Sequence, residues 1–309
     1  MEKIQFKKFA WHNLQNNEEP ELRYVRDHFN FEVGHLQDVA SPPLRPKIDF
    51  DEKYLFLVLL FPVHNRKTGA VIISELDIFL NKEVAVWVHK NDINAIRDIA
   101  QRMDNEPKFK EKYEHTTALV FVLDALEKLN LSLYPMLNHI SWDIDAIDNQ
   151  LFTGRERELI NQILAIKRNI VAIQKTMRAQ AHVLTEFEDR VEEYFGKKTI
   201  DKKTQLQFKR IISLSGDLWT QLENHKATID AIQETNESLI SFRLSDIMKT
   251  LTIFSVIVFP LTLLAAIFGM NTVEGMPFMN SGGGFWKVIA IMMTGTVCMF
   301  YWFKRRRWI

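Results

Sequence analysis

Cysteine is nearly absent: Cys298 is the only one among 309 residues, which excludes an internal disulfide and any paired-cysteine zinc spacing. Net charge is absent too. Lys plus Arg and Asp plus Glu number 39 each, so the balance gives no pointer to nucleic acid as a partner. There is no glycine-rich phosphate loop, no Cys/His metal spacing and no credible nucleophile–base pair, and therefore no enzyme activity and no organic cofactor are expected. Proline is missing from 136 to 259, where Gly154, Gly196 and Gly216 are the only glycines; so long a stretch of charged and aliphatic residues predicts long helices. Finally, charge disappears altogether from Thr250 to Met270.

As a helix, that uncharged run rises about 30 Å, enough to cross a bilayer. Val288 to Phe303 is a second uncharged run, preceded by Phe285, Trp286 and a Lys287 able to snorkel. Two spans are expected, near 250–270 and 285–303; the length rule disfavours two buried core helices. Cys298 then serves as a small hydrophobe in the second span. Lys304-Arg305-Arg306-Arg307 follows that span, whereas the connection from Asn271 to Lys287 carries only Glu274 and Lys287. The positive-inside rule places both termini in the cytoplasm and the connection outside, in the inner (plasma) membrane. Met1 to Pro20 has no apolar stretch resembling a signal peptide, so the large N-terminal part is expected to stay inside.

A chain of this length exceeds one ordinary soluble core, and three regions are expected. Residues 1–112 read as α/β: "YLFLVLLF" (54–61), "AVIISELDIFL" (70–80) and "VAVWVH" (84–89) are strand-like, "HNRKTG" (64–69) is a turn, and "NAIRDIAQRM" (94–103) is helix-like. Residues 113–244 form a helical stalk region, with helices near 116–152 and 155–195 and a third, 202–270, that continues into the first span. Residues 245–309 form the transmembrane domain. In the third helix Ile211, Leu214, Leu218, Leu222, His225, Ile229, Ile232, Asn236 and Leu239 step three and four apart as a coiled-coil-like seam, in which His225 and Asn236 are expected to set register rather than bind metal. The fold class is thus an α+β membrane protein: an N-terminal cytoplasmic α/β domain, long antiparallel helices, and a very long stalk helix entering the first of two C-terminal transmembrane helices.

"RLSDIMKTLTIFSVIVFPLTLLAAIFGMN", a following "MP" and a second span ending "FKRRRW" closely resemble the CorA family of magnesium transport proteins. The signature is Gly269-Met270-Asn271 at the outer end of the first span. Agreement extends upstream to "RPKIDFDEKYLFLVLL" (45–60) and "IKRNIVAIQKT" (166–176). The resemblance implies a homopentamer with a funnel-shaped cytoplasmic domain, in which the long helix lines a pore for passive, potential-driven influx of Mg²⁺, with Co²⁺ or Ni²⁺ as candidate substitutes. Its partners would be further copies of itself, divalent cations and the lipid bilayer, with no nucleic acid.

Mg²⁺ releases its waters reluctantly. A site selecting the hydrated ion should offer neutral acceptors to coordinated water, such as the amide oxygen of Asn271. Gly269 tolerates the backbone a helix end needs, and the negative end of the helix dipole would face the arriving cation. Below the signature, Met248, Leu251, Ser255, Phe259, Thr262 and Ala266 form a stripe with Ser245 at its cytoplasmic end. Bulky apolar members suit a gate that closes by dewetting, and Thr262 suits a second contact with hydrated ion. Small residues there also serve mere helix packing, and a Gly-Asn pair can be a plain helix stop. Pro260 removes one helix hydrogen bond and allows a local bend.

Three positions depart from the family pattern. Ser245 stands where the family usually has Asn. The outer connection reads Met276-Pro277-Phe278-Met279 where MPEL is usual, leaving Glu274 as its acid. Asp38 in "HLQDV" matches an aspartate that in the family binds regulatory Mg²⁺ between subunits, but its usual acidic partner aligns with Arg210, giving an expected Asp38–Arg210 pair. Acidic groups at Asp143, Asp145 and Asp148, and at Glu186, Glu188, Asp189, Glu192 and Glu193, read as solvated helix faces. Two other functions stay open: a zinc or other divalent-cation transporter of the same fold, and a membrane-anchored sensor or scaffold that conducts nothing.

Overall fold

The computed structural model describes residues 1–15, 19–42, 45–65, 67–196, 200–271, 275–278, 282–306 and 308. The chain separates into two compact units, Met1–Gln233 and Glu234–Ile309.

The first unit is built on six strands: β1 (Glu2–Gln5), β2 (Ala10–Leu14), β3 (Lys47–Asp51), β4 (Tyr54–His64), β5 (Val71–Leu80) and β6 (Val84–His89). They lie in the order β1-β2-β6-β5-β4-β3, antiparallel except where β2 runs parallel to β6. Helices α1 (Glu19–Phe29), α2 (Val33–Ala40), α3 (Asn94–Asn105), α4 (Pro107–Glu111), α5 (Ala118–Leu131), α6 (Tyr134–Asp148) and α7 (Glu156–Phe195) follow the chain order, with α8 (Lys202–Phe268) beginning here.

Both faces of the central strands are covered, which is why 54–61 reads as a continuous apolar run rather than an alternating one. Leu55, Leu57, Leu59 and Phe61 point into a core with Leu76, Ile78, Trp87, Phe121, Phe187 and Ile211. Tyr54, Phe56 and Val58 point the other way, against Phe79, Val86, Val25 of α1 and Val39 of α2. At about 25 cal/mol per Å² of apolar surface, each large side chain so buried contributes roughly 1.5–3 kcal/mol before chain entropy is set against it.

The three strands expected from sequence are present as β4, β5 and β6, and the turn between β4 and β5 closes through Asn65 N–H to the Ala70 carbonyl at 2.9 Å. β1, β2 and β3 were not expected. Their polar residues mask the strand pattern because structure satisfies them individually: buried Asn13 donates to Glu2 Oε2 at 2.9 Å and pairs through Oδ1 with His89 Nε2 at 2.9 Å.

The helix expected over 116–152 is two helices. Pro135 occupies the first turn of α6, where its missing N–H costs nothing, but it cannot continue α5. The chain tightens instead, with Leu133 N–H bonded to the Asn130 carbonyl at 3.1 Å. Gly154 (φ 95°) and Gly196 (φ 84°) flank α7 in left-handed backbone at the two expected turns. The seam on α8 is real: Ile211, Leu218, Leu222, Ile229, Ile232 and Asn236 are buried, with Leu214, His225 and Leu239 half-buried.

The second unit holds the remainder of α8 and α9 (Gly284–Arg305). These are the two helices long and apolar enough to cross a membrane among the described residues.

Candidate functional site at the signature end of helix α8

Helix α8 ends just before the signature, at Phe268. Its last turn tightens: the Gly269 N–H is shared between the carbonyls of Ala265 at 2.9 Å and Ala266 at 3.2 Å, and the Met270 N–H reaches Ile267 at 3.2 Å. A Cβ at Gly269 would lie 3.1 Å from the Ala265 carbonyl oxygen, tighter than ordinary contact. Met270 and Asn271 are exposed beyond the helix end, at the negative pole of its dipole.

Ser245, Met248, Leu251, Ser255, Phe259, Thr262, Ala266 and Gly269 fall within a sector of about 120° at 3.6 residues per turn. Of its large apolar members Phe259 is the most exposed, at 71%, against 57% for Leu251 and 54% for Met248. On the opposite side of the same helix, Ile253 is buried and Ile257, Leu261, Leu264 and Phe268 are half-buried. On α9, Val288, Met292, Thr296 and Met299 are half-buried and Phe303 is buried, again three and four apart. Within this unit, then, the stripe lies on the wide side of α8 left open, which also carries exposed Phe254, Val256, Leu263 and Ile267, and Ser255 alone of its members is half-buried.

The hydroxyls on the stripe are oriented by their own helix. Thr262 Oγ1 donates to the Val258 carbonyl and Ser255 Oγ to the Leu251 carbonyl, both at 2.9 Å. With its proton committed, each oxygen keeps lone pairs that accept from water, which is the polarity a hydrated cation presents. Pro260 lies inside α8 and gives no N–H to the Val256 carbonyl.

The connection between α8 and α9 contains a contact that sequence reasoning missed. Phe278 adopts φ 74°, a left-handed conformation costly for a bulky residue. Its carbonyl sits where a Cβ on Gly284 would be, so only glycine at 284 admits this close approach. Lys287 Nζ lies 5.9 Å from the Phe278 ring centroid. Ala265, Phe268 and Gly269 of the α8 end share a cavity of about 420 Å³ with Pro277, Phe278 and Gly284. The run Gly282-Gly283-Gly284 just before a span was the available signal. Glu274, the expected outer-mouth acid, and Met279 lie outside the described residues.

In the first unit, Asp38 on α2 and Arg210 on α8 each have a partner within the chain. Lys47 Nζ donates to Asp38 Oδ2 at 2.8 Å and to Asp49 Oδ2 at 2.5 Å. Burial works against the Lys47 charge, but its hydrogen bonds to Asp38 and Asp49 outweigh that and hold its pKa above the ordinary lysine value. Arg210 Nη2 meets Glu127 Oε1 at 3.0 Å. Close by, burial, followed by the charges of Glu75 and Asp38, holds the Asp77 carboxyl well above the usual carboxylate range. Among the described residues no group of three or more His, Cys, Asp or Glu is placed to hold a metal ion.

The family model described as "CorA-like Mg2+ transporter protein" matches residues 6–305. The chain is 24% identical over 288 residues to the cobalt/magnesium transport protein CorA of Thermotoga maritima, covering 93% of this chain and 80% of that one. It is 21% identical over 312 residues to the protein of the same name from Methanocaldococcus jannaschii, covering 100% and 95%. The complete structure of the CorA magnesium transporter from M. jannaschii superposes with a TM-score of 0.84 at 19% identity, over 100% of this chain and 95% of that one. The ZntB cytoplasmic domain from Vibrio parahaemolyticus matches with a TM-score of 0.60 at 14% identity, over 77% and 89%. The fold, the two apolar helices and the profile match over nearly the whole sequence agree: this chain belongs to the CorA-like Mg²⁺ transporter family.

Proposed function

We propose that five copies assemble into a channel-like transporter that admits hydrated Mg²⁺ down the membrane potential, with the stripe of α8 facing the axis and Gly269-Met270-Asn271 ringing the outer mouth. The observation carrying this reading is the open sector of α8, which faces away from the side packed within its own unit and ends at Asn271. A fivefold arrangement would turn that sector into a pore wall. Five Asn271 amides would offer neutral acceptors to the ion's coordinated water without stripping it. Thr262 and Ser255 would present accepting oxygens deeper in, and Phe259 would close the path by excluding water. Met248 and Leu251 would continue the apolar wall toward Ser245. Both termini would lie on the cytoplasmic side, consistent with the basic run after α9.

At Asp38 the local ammonium changes the regulatory expectation. A metal bridging two subunits there has to displace Lys47, and Arg210 brings a second permanent positive charge at the position where the family pattern has an acid. Closure is therefore proposed to depend less on internal Mg²⁺ than in the family pattern.

Flux into liposomes containing the purified protein tests the assignment, with Mg²⁺, Co²⁺, Ni²⁺ and Zn²⁺ compared side by side. Mg²⁺ uptake is expected, and Asn271→Ala should abolish it while the assembly stays intact. Undiminished uptake by an assembled Asn271→Ala variant refutes the selectivity ring. Zn²⁺ uptake without Mg²⁺ uptake moves the protein to the zinc reading, and no flux of any ion leaves the anchored-sensor reading.

A further inference from the structure

Beyond α9, Trp308 hooks back onto the helix. The Trp308 N–H donates to the Phe303 carbonyl at 3.0 Å, and the Trp308 ring leans on the Phe303 ring with centroids 5.8 Å apart. Phe303 itself is buried. The Arg306 guanidinium stands 5.8 Å from the centroid of the Trp302 ring. Around this hook Lys304, Arg305 and Arg306 are all exposed. Helix α9 carries no acidic residue, and among the described residues none of the three cations is paired with a carboxylate.

We propose that this hook is a binding site for the headgroup of an anionic phospholipid. The proposal rests on α9 crossing a bilayer, not on which ion the assembly conducts. Depth supports it. Tyr301, Trp302 and Trp308 are 65%, 53% and 43% exposed, and aromatic residues of this kind settle at headgroup level. At the other end of α9, Phe285 and Trp286 are exposed as a matching pair. From Trp286 to Trp302 the helix rises about 24 Å, comparable with a hydrocarbon core. Three cations held beside that belt face the phosphate layer.

The chemistry fits one ligand class. A guanidinium grips a phosphate through two parallel hydrogen bonds, and an ammonium adds a point charge. A zwitterionic lipid brings its own cation into the site, so a net negative headgroup is preferred. Each basic residue at an anionic surface raises affinity by roughly fivefold, and screening at 0.1 M salt reduces the combined effect of three.

The test uses the full chain reconstituted in vesicles of phosphatidylcholine and phosphatidylglycerol, with retained lipids and oligomeric mass read by native mass spectrometry. Wild-type protein should retain phosphatidylglycerol about tenfold over its share of the bilayer, less as salt rises. The triple variant K304Q/R305Q/R306Q should lose most of that preference with the assembly intact, and K304R/R305K/R306K should keep it. Trp308→Ala, which leaves every charge in place, should lower it about threefold by releasing the hook. Absence of a preference in the wild type, a preference insensitive to salt, or equal retention by the glutamine variant overturns the proposal. So does dissociation of the glutamine variant with its lipid preference unchanged, because the cations would then contact another copy. Lipid retention is read without any ion flux, so failure here and failure of the transport reading are separate results.

Discussion

His89, at the end of β6, ties the stability of the α/β unit to pH. Its Nδ1 accepts the Asn91 N–H at 3.0 Å, so the ring proton is on Nε2, which donates to Asn13 Oδ1 at 2.9 Å. Protonation would put a second hydrogen on Nδ1, against a donor, in a site only 3% exposed. Burial is the main cause that lowers its pKa from 6.5 to about 4; Asp92 opposes the shift and Arg97 adds to it. Between those values the unfolded chain holds a proton that the folded chain refuses. Stability is therefore complete above pH 6.5 and falls as pH drops toward 4, by about 3 kcal/mol from this residue. His12 on β2, lowered to about 4 by burial and then by Lys3 and His28, acts in the same direction. Hydrogen exchange on the β2 and β6 amides of the full-length protein in detergent, corrected for intrinsic rates, gives the opening free energy at each pH. His89→Gln should weaken the unit at pH 7 yet lose about 3 kcal/mol less on going from pH 6.5 to 4. Because His12 titrates in both proteins, it cancels in the difference. Equal pH slopes in wild type and variant would refute the assignment.

Phe259→Ala should remove the narrowest apolar ring of the proposed pore and leak Mg²⁺ when internal Mg²⁺ is high; a wild-type flux profile would count against the gate. Gly284→Ala places a methyl on the Phe278 carbonyl and should displace the outer connection. Flux is expected to fall at least tenfold with assembly retained, whereas Gly295→Ala, whose added Cβ meets nothing nearer than the flexible Met299 end at 4.0 Å, should behave as wild type. Equal flux in the two alanine variants would show that the close approach is dispensable.

The parts of this fold that were legible in the sequence are those where one force dominates. The two uncharged runs announce spans because charge is excluded by the hydrocarbon, and 54–61 announces a strand buried on both faces. The seam from Ile211 to Asn236 shows its period because only one side of α8 is covered. β2 stayed hidden because His12 and Asn13 are interior residues whose polarity is satisfied by partners on other elements, Tyr24 for His12 and Glu2 and His89 for Asn13. The Phe278–Gly284 approach was hidden for a related reason: a missing Cβ matters only once another segment is known to lie against it. Lys47 could have been found, since it shares a strand face with Asp49, but its grip on Asp38 spans nine residues and a change of element.

The order of the sheet leaves β1 and β3 at its edges, and the composition of those edges bears on how copies can meet. β1 reads EKIQ and β3 reads KIDFD, so each free row of backbone donors and acceptors is flanked by charge. In the proposed pentamer, five such sheets would share a small volume, where bare edges invite one sheet to extend another without limit. An incoming strand would have to strip water from Lys47, Asp49 and Asp51, or from Glu2 and Lys3, to reach that backbone. Edge-to-edge growth is thereby discouraged, and a closed ring has to be specified by side chains on helices, which can count to five where a hydrogen-bonded ladder cannot.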